Sequence, residues 1–140
     1  MAVHPMQASP EVAETAFTFL GQLGFTLEER WVTGGESFRD GWRLSYSSPH
    51  VQVFVQYLDS QFEVRFRRGS ITATYLAIDE GLFARRSGFH GNMFPPQKLE
   101  QAVGRIAKDI RELYTPILTG DAGEWIRIAR LEKAESRQSG

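Results

Sequence analysis

The chain contains three histidines, His4, His50 and His90, and no cysteine. None of the three falls at a spacing that gathers metal ligands or pairs a base with a nucleophile. A zinc or related centre draws several His, Cys or carboxylate side chains together. No metal site and no cofactor is therefore expected. A Gly-x-Ser-x-Gly elbow does not occur, and Ser37, Ser47, Ser48, Ser60, Ser70 and Ser87 read as turn or loop serines. A triad assembled from distant residues would leave no such mark. Glu28 and Glu29 adjoin in a strand pattern, so they point to opposite faces and share no site. Asp79-Glu80 reads as a turn or cap. Gly-rich phosphate loops are missing, and Gly34-Gly35 precedes no helix N-terminus that could hold an anion.

The basic residues offer more. Arg43, Arg65 and Arg67 fall on the polar face of neighbouring strands, together with Gln52, Gln56, Thr72 and Thr74. This is either an ordinary solvated face or a polar surface with an arginine cluster. Arg127, Arg130, Lys133 and Arg137 recur at helical spacing, diluted by Glu124, Glu132 and Glu135, and read as the wet side of a helix. The segment 83–96 is the most unusual. It holds Arg85, Arg86, His90, Met93 and the phenylalanines Phe83, Phe89 and Phe94 within a long stretch lacking periodicity. Loops of about 12–15 residues are uncommon in compact domains and are often functional. Arg85, Arg86, Phe89, His90 and Asn92 are the partner-binding candidates. The competing reading buries the phenylalanines and leaves a plain connector.

These residues need elements to position them. Pro10 and Glu11 suit a first helical turn, with Ser9 as its cap. Val12, Ala16, Phe19, Leu20 and Leu23 then recur at helical spacing, and Gly24 suits the left-handed residue that ends the helix. The period next changes to two. Phe25, Leu27 and Trp31 are expected to share one face. Trp42, Leu44 and Tyr46 form a second alternating run, and Val51, Val53, Val55 and Tyr57 a third. Phe62, Val64 and Phe66 form a fourth, and Ile71, Ala73, Tyr75 and Ala77 a fifth. Alternation with short connections predicts an antiparallel meander with one buried face. Leu99, Ala102, Val103, Ile106, Ile110, Leu113, Tyr114 and Ile117 make one helical stripe, and Pro116 should end or kink it near Thr115. Ala122, Trp125, Ile128, Ala129 and Leu131 form the apolar side of a last helix.

The fold class is therefore α+β: an N-terminal helix, a meander of four to five strands, and two C-terminal helices packed on one face of the sheet. With 140 residues, a single domain over 1–140 is expected, with flexible tails at 1–8 and about 135–140. The net charge of −1 gives no global field for nucleic acid or an anionic membrane. Neither a signal peptide nor an apolar run long enough to span a membrane is present, so a cytoplasmic location is expected.

The helix–meander–helix order is similar to that of many small bacterial proteins, including toxin-neutralising immunity proteins. Architecture of this kind carries no residue across and does not fix function. The expected function is a non-enzymatic domain, of immunity or adaptor type, that binds another protein. The alternative is a nucleic-acid-associated protein using the arginine-bearing sheet face. A third reading is a small enzyme near the 83–96 loop, with His90, Arg85, Arg86 and Asp79 converging.

Overall fold

A computed structural model describes residues 10–32, 41–58, 61–75, 77–78 and 96–139. Helix α1 (Pro10–Ala16) leads into a 3-10 segment, Thr18–Leu23. Five strands follow: β1 (Thr26–Val32), β2 (Trp42–Ser47), β3 (Gln52–Leu58), β4 (Gln61–Arg68) and β5 (Ile71–Thr74). They form one sheet in the order β1-β2-β3-β4-β5, and each neighbouring pair is antiparallel. The chain ends in α2 (Pro96–Leu113), the single turn α3 (Thr115–Leu118) and α4 (Ala122–Ser139). The protein is an α+β meander under helices, as its periodicity predicts.

One face of the sheet makes the core. Trp42, Leu44 and Tyr46 of β2, Val53, Val55 and Tyr57 of β3, and Phe62, Val64 and Phe66 of β4 are all buried. They join one cluster with Ala13, Phe17 and Leu20 from the N-terminal helices. Leu99, Ala102, Val103, Ile106 and Ile110 of α2, with Trp125 and Ile128 of α4, complete it. Non-directional burial of these stripes drives the two layers together. Two polar groups that enter the core are bonded. The Trp125 indole N–H donates to the Ile117 carbonyl at 2.9 Å, and the Tyr114 hydroxyl donates to the Tyr75 carbonyl at 3.3 Å.

Several local expectations need correction. The first helix is not continuous. At Phe17 it tightens into the 3-10 segment, where Phe17 and Leu20, three apart, come to one side and are both buried. The Thr18 hydroxyl bonds back to the carbonyls of Glu14 and Thr15, a competitor of the regular ladder. Gly24 then ends the segment at φ 91°, as expected. β5 stops at Thr74, because the Thr74 hydroxyl accepts from the Ala77 N–H and the chain turns helical at Tyr75. Pro116 ends α2 as predicted, but it also sits in the first turn of α3, an extra helical turn between the two long C-terminal helices. Leu113 and Ala122 are exposed, so neither belongs to its helix's buried stripe. Asp109 falls outside the apolar stripe of α2, and the Tyr75 hydroxyl donates to its carboxylate at 3.1 Å.

Gly41 precedes β2 where no side chain fits. A Cβ there would overlap the Tyr57 carbonyl oxygen and lie 2.6 Å from the Leu58 Cδ2. Because the nearest atom is backbone, the strand itself would have to move. Gly41→Ala is expected to lose about 1–3 kcal/mol of stability, read as a lower urea midpoint.

Tyr46 faces the core near Glu14, and burial, aided by the Glu14 charge, pushes its hydroxyl up to about 12. The unfolded hydroxyl ionises near 10. The folded state therefore holds its proton where the unfolded state has released it. This contribution is whole below about pH 10 and is lost as the pH rises towards about 12. Phenolate absorbance checks it. The difference between wild type and Tyr46→Phe should show one tyrosine titrating near 12, and a step near 10 would contradict it.

Candidate functional site

Backbone pairing lays out the outer face of the sheet. Trp31, Arg43, Gln56 and Glu63 form one row across β1 to β4. Glu29, Ser45, Phe54, Arg65 and Thr74 form the next, and Thr26, Ser47, Gln52, Arg67 and Thr72 the third. Directly paired residues share a face, so these rows are one surface. Arg65 and Arg67 are exposed, while Arg43, Phe54, Gln56, Glu63 and Thr72 are half-buried. The same seven residues line a shallow concavity of about 270 Å³.

The structure therefore brings Arg43, Arg65 and Arg67 into one place. Each is held there. The Arg43 Nε donates to Gln56 Oε1 at 3.2 Å, and its guanidinium lies 5.9 Å from the Trp31 ring centre. The Arg65 Nη2 donates to Glu63 Oε2 at 2.9 Å, and the Arg67 Nε donates to the Gly69 carbonyl at 3.0 Å. Three guanidiniums face one carboxylate in the concavity, so it carries local positive charge inside a nearly neutral chain. Its lining offers no histidine to act as a base.

Trp31 arrives on this face through an irregularity. Pairing with β2 shifts between Leu27 and Glu29, so one extra residue enters β1. Leu27 lies opposite Tyr46 on the core side, whereas Trp31 lies opposite Arg43 on the outer side. The expectation that Phe25, Leu27 and Trp31 share a face fails for that reason, and Trp31 is 45% exposed. On the core side of β1, Arg30 bridges Glu14 and Glu11 of α1 at 2.9 Å each, which ties the edge strand to the helix. The bond to Glu14 is the main cause holding Arg30 protonated, above its ordinary range.

Arg85, Arg86, Phe89, His90 and Asn92, with Asp79, lie outside the described residues. Sequence reasoning gave no role to Trp31, Phe54 or Glu63. Phe54 had a signal: it is an aromatic in the polar phase of β3, between Gln52 and Gln56. Trp31 had none, because the bulge hides its side. Among the described residues no group of His, Asp and Glu side chains could hold a metal ion, and no helix is long and apolar enough to cross a membrane.

The fold and the site define an α+β domain with an arginine- and aromatic-bearing sheet face. No protein-family model, curated protein or solved structure matches the chain.

Proposed function

We propose that the chain is a non-enzymatic protein-binding domain, of immunity or adaptor type, that acts in the cytoplasm and holds its partner on the outer face of the sheet. The observation that carries this reading is Phe54. It sits half-buried in the middle of the polar face, with Arg43, Arg65 and Arg67 lining the same concavity and Trp31 at the margin. An aromatic at the centre of this face supplies apolar area that a partner can cover. Tryptophan, tyrosine and arginine carry a large share of binding energy where proteins meet, and phenylalanine is enriched there too. The arginines are held by neighbours, so less side-chain freedom is lost on binding.

A nucleic acid is the second reading, because Phe54 lies directly opposite Arg65 and offers a base a stacking surface beside a cation. Glu29 and Glu63 on the same face oppose a polyanion, and the net charge gives it no long-range attraction. Binding of that kind would weaken steeply with salt. The sequence-based proposal for Arg85, Arg86, Phe89, His90 and Asn92 stands beside the sheet-face reading. Alanine replacement of those five tests it separately.

The test uses immobilised wild type and the Arg43→Glu/Arg67→Glu variant against extract of the source cells. A protein held by wild type and lost by the variant, and bound again when purified, supports the reading. Equal recovery on both overturns it.

A further inference from the structure

The three outward rows contain a diagonal. Arg43 pairs with Gln56, two residues beyond Phe54 on β3, and Arg67 pairs with Gln52, two residues before it. Arg43, Phe54 and Arg67 thus lie on one line across β2, β3 and β4, with the ring midway. Diagonal neighbours on a sheet stand about 7–8 Å apart, so the two arginines are separated by about 15 Å at the backbone.

The two end arginines share a further property. Each is anchored through Nε, Arg43 on Gln56 and Arg67 on the Gly69 carbonyl. An anchor at Nε leaves the Nη1–Nη2 edge of the guanidinium for another acceptor. That edge is a planar two-donor fork that fits a carboxylate. Arg65 differs, since its Nη2 is engaged by Glu63.

We propose that this diagonal recognises an extended acidic segment of a partner protein, with the pattern acidic-x-apolar-x-acidic. In an extended chain, residues i, i+2 and i+4 point to one side. Four residues span about 13 Å, close to the separation of the two forks, and the long side chains bridge the remainder. The carboxylates meet Arg43 and Arg67, and the apolar side chain between them meets Phe54. Charge selects separate carboxylates over a phosphate backbone. Two forks about 15 Å apart match two single charges, while Arg65 between them is already engaged by Glu63 and offers less to a continuous run of charge. The inference rests on the sheet-face reading and names its partner's chemistry.

The probe is a labelled peptide with the core Glu-Ser-Leu-Ser-Glu, measured by fluorescence anisotropy on the full chain. The control has the same composition in the order Glu-Glu-Leu-Ser-Ser. The spaced peptide should bind at least about tenfold more tightly, the expected worth of one charge-assisted contact. Arg43→Gln and Arg67→Gln, with unchanged circular dichroism, should each remove that preference. Equal binding of the two peptides, or no binding of the spaced one at millimolar concentration, overturns the inference. The sheet-face reading survives that result if the charge-reversed variant still loses its cellular protein. Displacement of the peptide by a single-stranded oligonucleotide that itself binds more tightly, with a steep salt dependence, overturns both.

Discussion

Trp125→Ala is expected to lower the unfolding free energy by about 3–5 kcal/mol, the usual cost of emptying a buried aromatic site. Trp125 is 1% exposed and stands where α4 meets the core. Its ring fills volume that helix neighbours cannot close over, so a cavity remains. Its indole N–H is also the partner of the Ile117 carbonyl, at 2.9 Å, which joins α4 to the turn α3. Removing the ring deletes this bond, while the Gly120 N–H still donates to the same carbonyl at 3.1 Å, so the hydrogen bond adds only about 0.5–1.5 kcal/mol to the loss. Trp125→Phe separates the two contributions. It keeps most of the apolar contact and deletes the donor with a small part of the ring volume, so it should cost about 1–2 kcal/mol. A domain of this size has about 5–15 kcal/mol in hand, so Trp125→Ala should unfold at a much lower urea concentration. Equal losses for the two variants would place the whole effect in the hydrogen bond. A loss under about 1 kcal/mol for alanine would contradict the packing of α4.

Arg43→Glu/Arg67→Glu is expected to weaken partner binding at least about a hundredfold while leaving the urea midpoint nearly unchanged. Truncating one side of a desolvated charge pair costs about 2–5 kcal/mol in an interface, and reversal adds repulsion. The folding cost is small because both side chains point away from the core. Arg67 is exposed and bonded to a turn carbonyl, and Arg43 is half-buried against Gln56 and Trp31. Substitutions at such positions usually change stability by less than about 0.5 kcal/mol. Calorimetric titration with the purified partner and a urea melt of the free variant measure the two effects separately. A large loss of stability would show that these arginines hold the fold. An unchanged affinity would remove them from the interface.

Much of this surface is legible in the residues themselves. Within Trp42–Tyr46, Val51–Tyr57 and Phe62–Phe66 every second residue is apolar, and the other phase of these strands carries Arg43, Gln52, Gln56, Glu63, Arg65 and, just beyond Phe66, Arg67. Short turns then force an antiparallel pairing that stacks those positions in rows. What is not legible depends on pairing register and local competition. Leu27 to Trp31 reads as simple alternation, and the extra residue in β1 that sends Trp31 to the opposite side appears only once β2 is laid against it. Ile71 to Ala77 also reads as alternation, but the Thr74 hydroxyl captures the Ala77 N–H and ends the strand. The helix from Val12 to Leu23 has the right apolar spacing for either coil, and the 3-10 form prevails where Phe17 and Leu20 both seek the core. The pairing of Tyr75 with Asp109, separated by a long stretch of chain, has no local signature at all.

The outer sheet face is the proposed recognition surface. Amide shift mapping of isotope-labelled protein, titrated with the partner recovered by wild type, tests it most directly. The predicted result is a continuous footprint over Arg43, Ser45, Phe54, Gln56, Arg65 and Arg67, fading towards the helices. A footprint confined to the exposed sides of α2 and α4, with those six amides unmoved, would contradict it.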